Sequence, residues 1–162
     1  MAISSSLGES RAILRLIHAA SRDLNVPIVI RPHPSIPIAE LYQQYDWPSN
    51  VRLSFRSTLT EDMGQVGFIA YSSSTVALEG LIHGRLPIFL DIRDVLVGDP
   101  IDNVAFKLNA TSPASLVSCI RAVNAWPPEK LDSLRHQGRS YAEKYLAAPN
   151  PNLLEEMSSA LQ

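Results

Sequence analysis

Apolar positions along this chain follow two rhythms, one helical and one of short continuous runs. Ile13, Leu14, Leu16, Ile17 and Leu24 recur at helical spacing and predict a first helix over residues 9–24. Residues 27–31 then read Pro-Ile-Val-Ile-Arg, a β-branched run of the kind that forms a strand buried on both faces. Pro32, Pro34 and Pro37 exclude regular structure just after it, and a weak helix is expected over residues 38–45. Further strands are predicted at residues 51–55, 67–71, 87–91 and, more briefly, 104–108. Between them, a short helix is expected over residues 58–65 and another over residues 74–83, where Gly84 stops it. Ser112 stands as an N-cap with Pro113 at the first helical position, opening a helix to about residue 123. Pro127 and Pro128 precede a long amphipathic helix to about residue 146, and Pro149 and Pro151 precede a short terminal helix that packs weakly.

Strands alternating with helices predict an α/β chain: a Rossmann-like, doubly wound, mostly parallel sheet of about six strands with helices on both faces. The first of these strands is stunted. Only Met1 to Ser4 precede the serine-rich turn into the first helix, as though a domain boundary lay close upstream. The expectation is therefore one domain over residues 1–162, forming the C-terminal half of a larger two-domain protein.

Composition narrows the classes of partner. Of the 162 residues 46% are hydrophobic and 19% charged, which fits a globular domain with a real core. A formal net charge of -2 argues against a broad nucleic-acid or anionic-membrane surface, although backbone amides and a few side chains can still hold a phosphate. Cys119 is the single cysteine, so no intrachain disulfide or thiolate metal cluster can form. No apolar run is long enough to span a bilayer and no signal-peptide pattern opens the chain, so a cytoplasmic location is expected.

The densest chemistry lies in residues 68–79, where an apolar run passes through Ser72, Ser73, Ser74 and Thr75 directly into a helix. The first amides of a helix lack partners inside it, small hydroxyl residues add donors, and ligands of open parallel sheets bind at the carboxyl ends of strands. An anion site is expected there, with Glu79 one turn beyond Thr75 and able to accept from ribose hydroxyls. The blander reading is a simple N-cap with a solvated Glu79. A second segment, Arg31-Pro32-His33-Pro34-Ser35, ends another buried run. Its prolines fix the direction of His33, which can contact a phosphate or protonate a departing one. Arg31 can pair with phosphate or brace the loop against a carboxylate. Alone, His33 reads as a structural hydrogen-bonder. Residues Leu7, Gly8 and Glu9 form a third, weaker signal, for which ordinary helix capping is an equal reading. Asp91, Arg93, Asp94 and Asp99 follow a strand on the ligand-bearing edge, where contact with a sugar or base is one reading, but most read as solvated loop charges; His18, His83 and His136 lack partners at metal-ligand spacing.

Taken together, the Arg31–Pro34 tetrapeptide, the run from Ile69 through the serines to Glu79, and Gly84-Arg85-Leu86-Pro87-Ile88 resemble the C-terminal domain of GT-B type glycosyltransferases. The likeness is to bacterial enzymes of capsule and surface polysaccharide synthesis, including sialyltransferase-like and polyol-phosphate-transferase-like groups, and holds over residues 26–91. It implies a donor-binding domain for a nucleotide-activated sugar used in surface polysaccharide or glycoconjugate synthesis. The resemblance assigns His33, Ser73 and Ser74 to the donor phosphates, with Arg31, Ser72 and Thr75 beside them and Glu79 on the ribose. His33 would be the catalytic member, stabilising charge on the leaving phosphates, and no metal or other cofactor is expected.

It further implies an upstream N-terminal domain that binds the acceptor, so the isolated chain would bind nucleotide without turnover. Peripheral membrane association would come only through the full-length protein. Two departures leave the nucleotide and the stereochemistry open: Gly67 stands where many relatives have Asp, and Tyr71 stands eight residues before Glu79 where some retaining enzymes have a second Glu. Two rival readings stay in view, a sugar-nucleotide epimerase of the UDP-GlcNAc 2-epimerase kind and a non-catalytic scaffold of the same fold.

Overall fold

A computed structural model describes residues 6–54, 58–92 and 98–146. Eleven elements follow one another: α1 (Leu7–Ser21), β1 (Ile28–Ile30), α2 (Ile38–Tyr42), β2 (Val51–Leu53), α3 (Leu59–Met63), β3 (Phe68–Tyr71), α4 (Val76–Ile82), β4 (Leu86–Leu90), β5 (Leu108–Ala110), α5 (Pro113–Asn124) and α6 (Pro128–Tyr145). Among the described residues every strand pairing is parallel, as the alternation of strands and helices predicts.

The described residues do not form a single six-strand sheet. Among the described residues there are five strands, in two sheets ordered β1-β2 and β3-β4-β5. The expected opening strand and the terminal helix lie outside the described residues. A groove of ≈ 410 Å³ lies between the two sheets, lined by Ile28 and Val29 of β1, Phe68 and Ala70 of β3, and Leu116 and Ile120 of α5. The last strand also sits later than expected. Residues 108–110 pair with β4, whereas the stretch predicted from Val104 turns first, Lys107 N–H bonding back to the Val104 carbonyl at 3.1 Å.

Successive residues of a strand face opposite sides of a sheet, and here each side carries its own helices. Ala70, Ile88 and Leu90 pack with Ile13 and Ile17 of α1 and Leu116 and Ile120 of α5. Tyr71 packs on the other face with Leu78 and Leu81 of α4 and Leu134 and Ala142 of α6. Helices therefore cover both faces of the three-stranded sheet, which explains why its strands read as continuous apolar runs.

Local chemistry sets the element ends. The Ser112 hydroxyl accepts the Ser115 amide at 3.2 Å, with Pro113 at the first position of α5. Thr58 and Glu61 form a capping box on α3. Helix α4 closes in a Schellman turn: Gly84 takes φ +67, and the Arg85 amide reaches the Gly80 carbonyl at 2.8 Å. Pro87 is tolerated in the middle strand because its missing N–H faces the β5 side, where pairing begins only at Ile88.

Gly80 lets α4 lie directly on β3. A Cβ there would stand 2.8 Å from Cγ2 of Ile69, a branch held rigidly in a buried strand. At Gly138 the equivalent clash, also 2.8 Å, is with the movable end of Leu81. Gly80→Ala is therefore expected to destabilise the chain by about 1–3 kcal/mol despite the better helix propensity of alanine, and by more than Gly138→Ala. Urea midpoints of the two variants check this order, and equal or inverted shifts would refute the packing argument.

Candidate functional site

The segments singled out in the sequence lie at the carboxyl ends of β1 and β3. Arg31 follows β1 and Val76 opens α4 just after the Ser72–Thr75 turn, and both line one small cleft with Leu59, Asp62 and Met63 of α3. The two loops thus approach a common rim.

At that rim the dominant contact is a carboxylate on the serine turn. Glu9, in the first turn of α1, is only 2% exposed. Its Oε1 accepts the Ser73 amide at 3.0 Å, and the Ser73 hydroxyl donates to the same carboxylate at 2.8 Å. A buried carboxylate persists only where charge-assisted bonds replace its lost hydration. The turn after β3 therefore holds an anion, and that anion belongs to the protein. A phosphate could use the Ser73 donors only by displacing Glu9.

The other hydroxyls divide between inside and outside. Ser72 is buried and donates to the Leu90 carbonyl at 3.2 Å, tying the end of β3 to β4. The Ser74 oxygen accepts the Val76 amide at 3.4 Å, which leaves its proton to donate outward. Thr75 caps α4 without a side-chain bond, and both it and Glu79 are exposed. Because α4 has only seven residues, its macrodipole adds little, contrary to the weight the sequence reading gave it.

Arg31 takes the bracing alternative. Its guanidinium meets Asp62 at 2.7 Å and the Thr58 carbonyl at 3.2 Å. Asp62 also accepts from the buried Ser54 hydroxyl. Burial alone would raise the Asp62 carboxyl, but the bonds from Ser54 and Arg31 and the charge of Arg31 outweigh it and hold it below the usual range. His33 turns to its own loop: Nδ1 accepts the Ser35 amide at 3.2 Å and lies 2.8 Å from the Ser35 hydroxyl. An accepting Nδ1 puts the ring proton on Nε2, a donor at the opposite edge of the imidazole. No hydrogen bond joins His33 to Ser73.

Sequence reasoning passed over Asp62 and Ser54, gave Ser35 no role of its own within the Arg31–Ser35 segment, and placed Glu9 in a weak signal for which helix capping was an equal reading. Glu9 stands third after the N-cap Ser6, a spacing that reads as a local capping box and conceals its reach across 64 residues. Asp99, read as a solvated charge, instead accepts the Tyr71 hydroxyl at 2.8 Å and pairs with Lys107 at 2.7 Å. Arg93 and Asp94 lie outside the described residues. His18 donates through Nε2 to the Asp46 carbonyl at 3.0 Å and packs against Trp47, a structural role. Burial pushes the Cys119 thiol up, which leaves it a weak nucleophile. Among the described residues no cluster of His, Cys, Asp and Glu could hold a metal ion, and no helix is long and apolar enough to cross a membrane.

No family model matches the sequence, and no curated protein matches it significantly. Among solved structures, the chain is similar to "Spinosyn Forosaminyltransferase SpnP", with a TM-score of 0.56 and 16% sequence identity over 99% of this chain. That correspondence covers 42% of the other chain, so this chain spans less than half of that protein's length. At this identity the likeness concerns the fold, an α/β arrangement found in part of a glycosyltransferase.

The Arg31–Asp62 pair generates a pH prediction. A carboxyl depressed in the folded state contributes its full stability above its unfolded value, about 4, and loses it as pH falls through the folded value. Because Arg31 is 27% exposed and partly screened, Asp62→Asn is expected to lower stability at neutral pH by about 2–3 kcal/mol, below the range for a fully buried pair. The variant should also show a shallower acid-side decline below about pH 4. Denaturant titrations from neutral to acid pH test both, and an unchanged acid limb would contradict the pairing.

Proposed function

We propose that this chain is the donor-nucleotide-binding half of a GT-B type glycosyltransferase, using a nucleotide-activated sugar in surface polysaccharide or glycoconjugate synthesis. One observation carries the reading: the turn after β3 already binds an anion, the Glu9 carboxylate on the amide and hydroxyl of Ser73. The fold shared with part of a glycosyltransferase and the Arg-Pro-His-Pro segment at the neighbouring strand end add to it.

In this reading the donor's phosphates enter beside or in place of the Glu9 carboxylate. They take donors from Ser74, Thr75 and the Nε2–H of His33, with Ser73 joining when Glu9 withdraws. Glu79, exposed one turn beyond Thr75, accepts from the ribose. As the glycosyl bond breaks, charge accumulates on the leaving phosphates, and fixed donors that already face them stabilise that charge without a metal ion. Arg31 and Ser72 act as positioning residues, the first by anchoring the His33 loop to Asp62 and the second by anchoring β3 to β4. The acceptor and the catalytic base come from a separate N-terminal domain, so the activity belongs to the assembled two-domain protein.

A second reading, a non-catalytic domain of the same fold, is favoured by the internal bonds that occupy Arg31, Ser72 and Ser73. Calorimetric titration with CMP, CDP, UDP and GDP separates the two. The donor-site reading expects one nucleotide to bind, His33→Ala to weaken it about tenfold, and Glu9→Gln to tighten it several-fold by removing the competing charge. Absence of binding by every nucleotide to both the parent chain and the Glu9→Gln variant would favour the scaffold.

A further inference from the structure

At the far end of α4 lies a cleft with the opposite electrostatic character. It encloses ≈ 360 Å³ and is lined by His83, Gly84 and Arg85 of the α4–β4 turn and by Asp132, Arg135, His136 and Arg139 of α6. The α6 residues are spaced i, i+3, i+4 and i+7, so one helical face presents all four to the turn. Three arginines and two histidines thus surround a hollow in a chain whose formal net charge is -2.

The internal bonds do not account for this gathering. Arg139 donates through Nε to the Ile82 carbonyl at 3.1 Å, a contact that helps close the C-terminal end of α4. Arg135 meets Asp132 at 3.3 Å, but that aspartate side chain is 75% exposed and its pull is screened. Neither Arg85 nor Arg139 forms an ion pair among the described residues. The Nε–H groups of both Arg85 and Arg135 are buried with no acceptor among the described residues. Buried donors are almost always satisfied, so two guanidinium donors left together beside a hollow call for an acceptor from outside. Burial, and then the charge of Arg135, push the Arg85 guanidinium down from its ordinary value, so the two cations repel where they meet.

We propose that this cleft is a binding site for a phosphate group, held by Arg85 and Arg135 with Arg139, His83 and His136 around it. A phosphate offers several acceptor oxygens and up to two negative charges, which matches forked guanidinium donors better than a carboxylate does. The site is separate from the serine turn: α4 lies between them, with a rise of roughly 10 Å over its seven residues. It does not depend on the donor-site reading.

The phosphate could come from a soluble phosphomonoester or from a lipid headgroup, and the experiment has an arm for each. Inorganic phosphate, titrated at constant ionic strength against chloride, is expected to raise the melting temperature of the 162-residue chain. Arg85→Gln with Arg135→Gln should weaken that response roughly tenfold or more, while Arg22→Gln, at an exposed arginine just after α1, leaves it unchanged. In phosphate-free buffer the double variant should be at least as stable as the parent, because a repulsion has been removed. A merely structural role for the arginines predicts the reverse. Arg139→Gln, at an exposed position, gives a second and milder variant, whose phosphate response is expected to weaken in the same direction. Flotation with phosphatidylcholine vesicles, with and without phosphatidic acid, identifies the source. Binding only to the acidic vesicles assigns a headgroup, whereas a response confined to inorganic phosphate assigns a soluble ligand. Response to neither probe, or an equal response by parent and double variant, overturns the proposal.

Discussion

The contact on which the rim of this domain depends is the buried Glu9 carboxylate seated on Ser73. It joins the first turn of α1 to the end of β3, two points 64 residues apart. A carboxylate that is 2% exposed has lost nearly all its hydration, and charge-assisted bonds from an amide and a hydroxyl must replace it. That requirement fixes the turn: Ser73 has to offer both donors to one side, which leaves Ser74 and Thr75 to face outward. The chain thereby presents a strand end shaped around a negative charge. Any incoming phosphate meets a site already suited to its charge and already occupied by a competitor.

A second carboxylate plays the same part at the neighbouring strand end. Asp62 receives Ser54 and Arg31, and so ties the loop after β1 to α3. The proline-rich segment leaves β1 in a direction set by that anchor, and Ser35 then sets the orientation and tautomer of His33. Two buried carboxylates, one at each strand end, thus organise the loops from below. The donors left facing solvent beside the Glu79 carboxylate include the Ser74 and Thr75 hydroxyls and the His33 ring N–H. Stabilisation of a leaving phosphate by such a rim would rest on preorganised dipoles more than on net positive charge, in keeping with a chain that is slightly acidic.

How much of this was legible follows from how local each signal is. The apolar runs at Ile28–Ile30 and Leu86–Leu90 and the Ser112–Pro113 helix start depend on neighbours in sequence, and they appear where the pattern puts them. Residues 104–106 carry apolar side chains but turn before pairing, because strand formation needs a partner edge and β4 offers one only from Ile88 onward. The division into two sheets was not legible either, since periodicity says which residues are extended and not which edges meet. At the rim, the sequence marks the serine turn and the Arg31–Ser35 segment through their unusual composition. The partners that occupy Arg31 and Ser73 are ordinary acidic residues in helix first turns, and Glu9 and Asp62 look there like any charge favouring a helix start.

The two ends of α4 pose opposite problems, and the contrast bears on what each can select. At its start the protein supplies the acceptor itself, so a ligand gains only the difference between its own bonds and those of Glu9. Such a site discriminates strongly, because a ligand with fewer or weaker acceptors than a carboxylate cannot displace it. At its end, three arginines converge with Asp132 as the one acid among the described lining residues, and two buried guanidinium donors lack acceptors among the described residues. There a ligand gains its full interaction and also relieves a repulsion, so affinity comes more readily than discrimination. One short helix thus separates a rim that resists occupation from a cleft that invites it, and the difference follows from whether the fold has provided a counter-charge of its own.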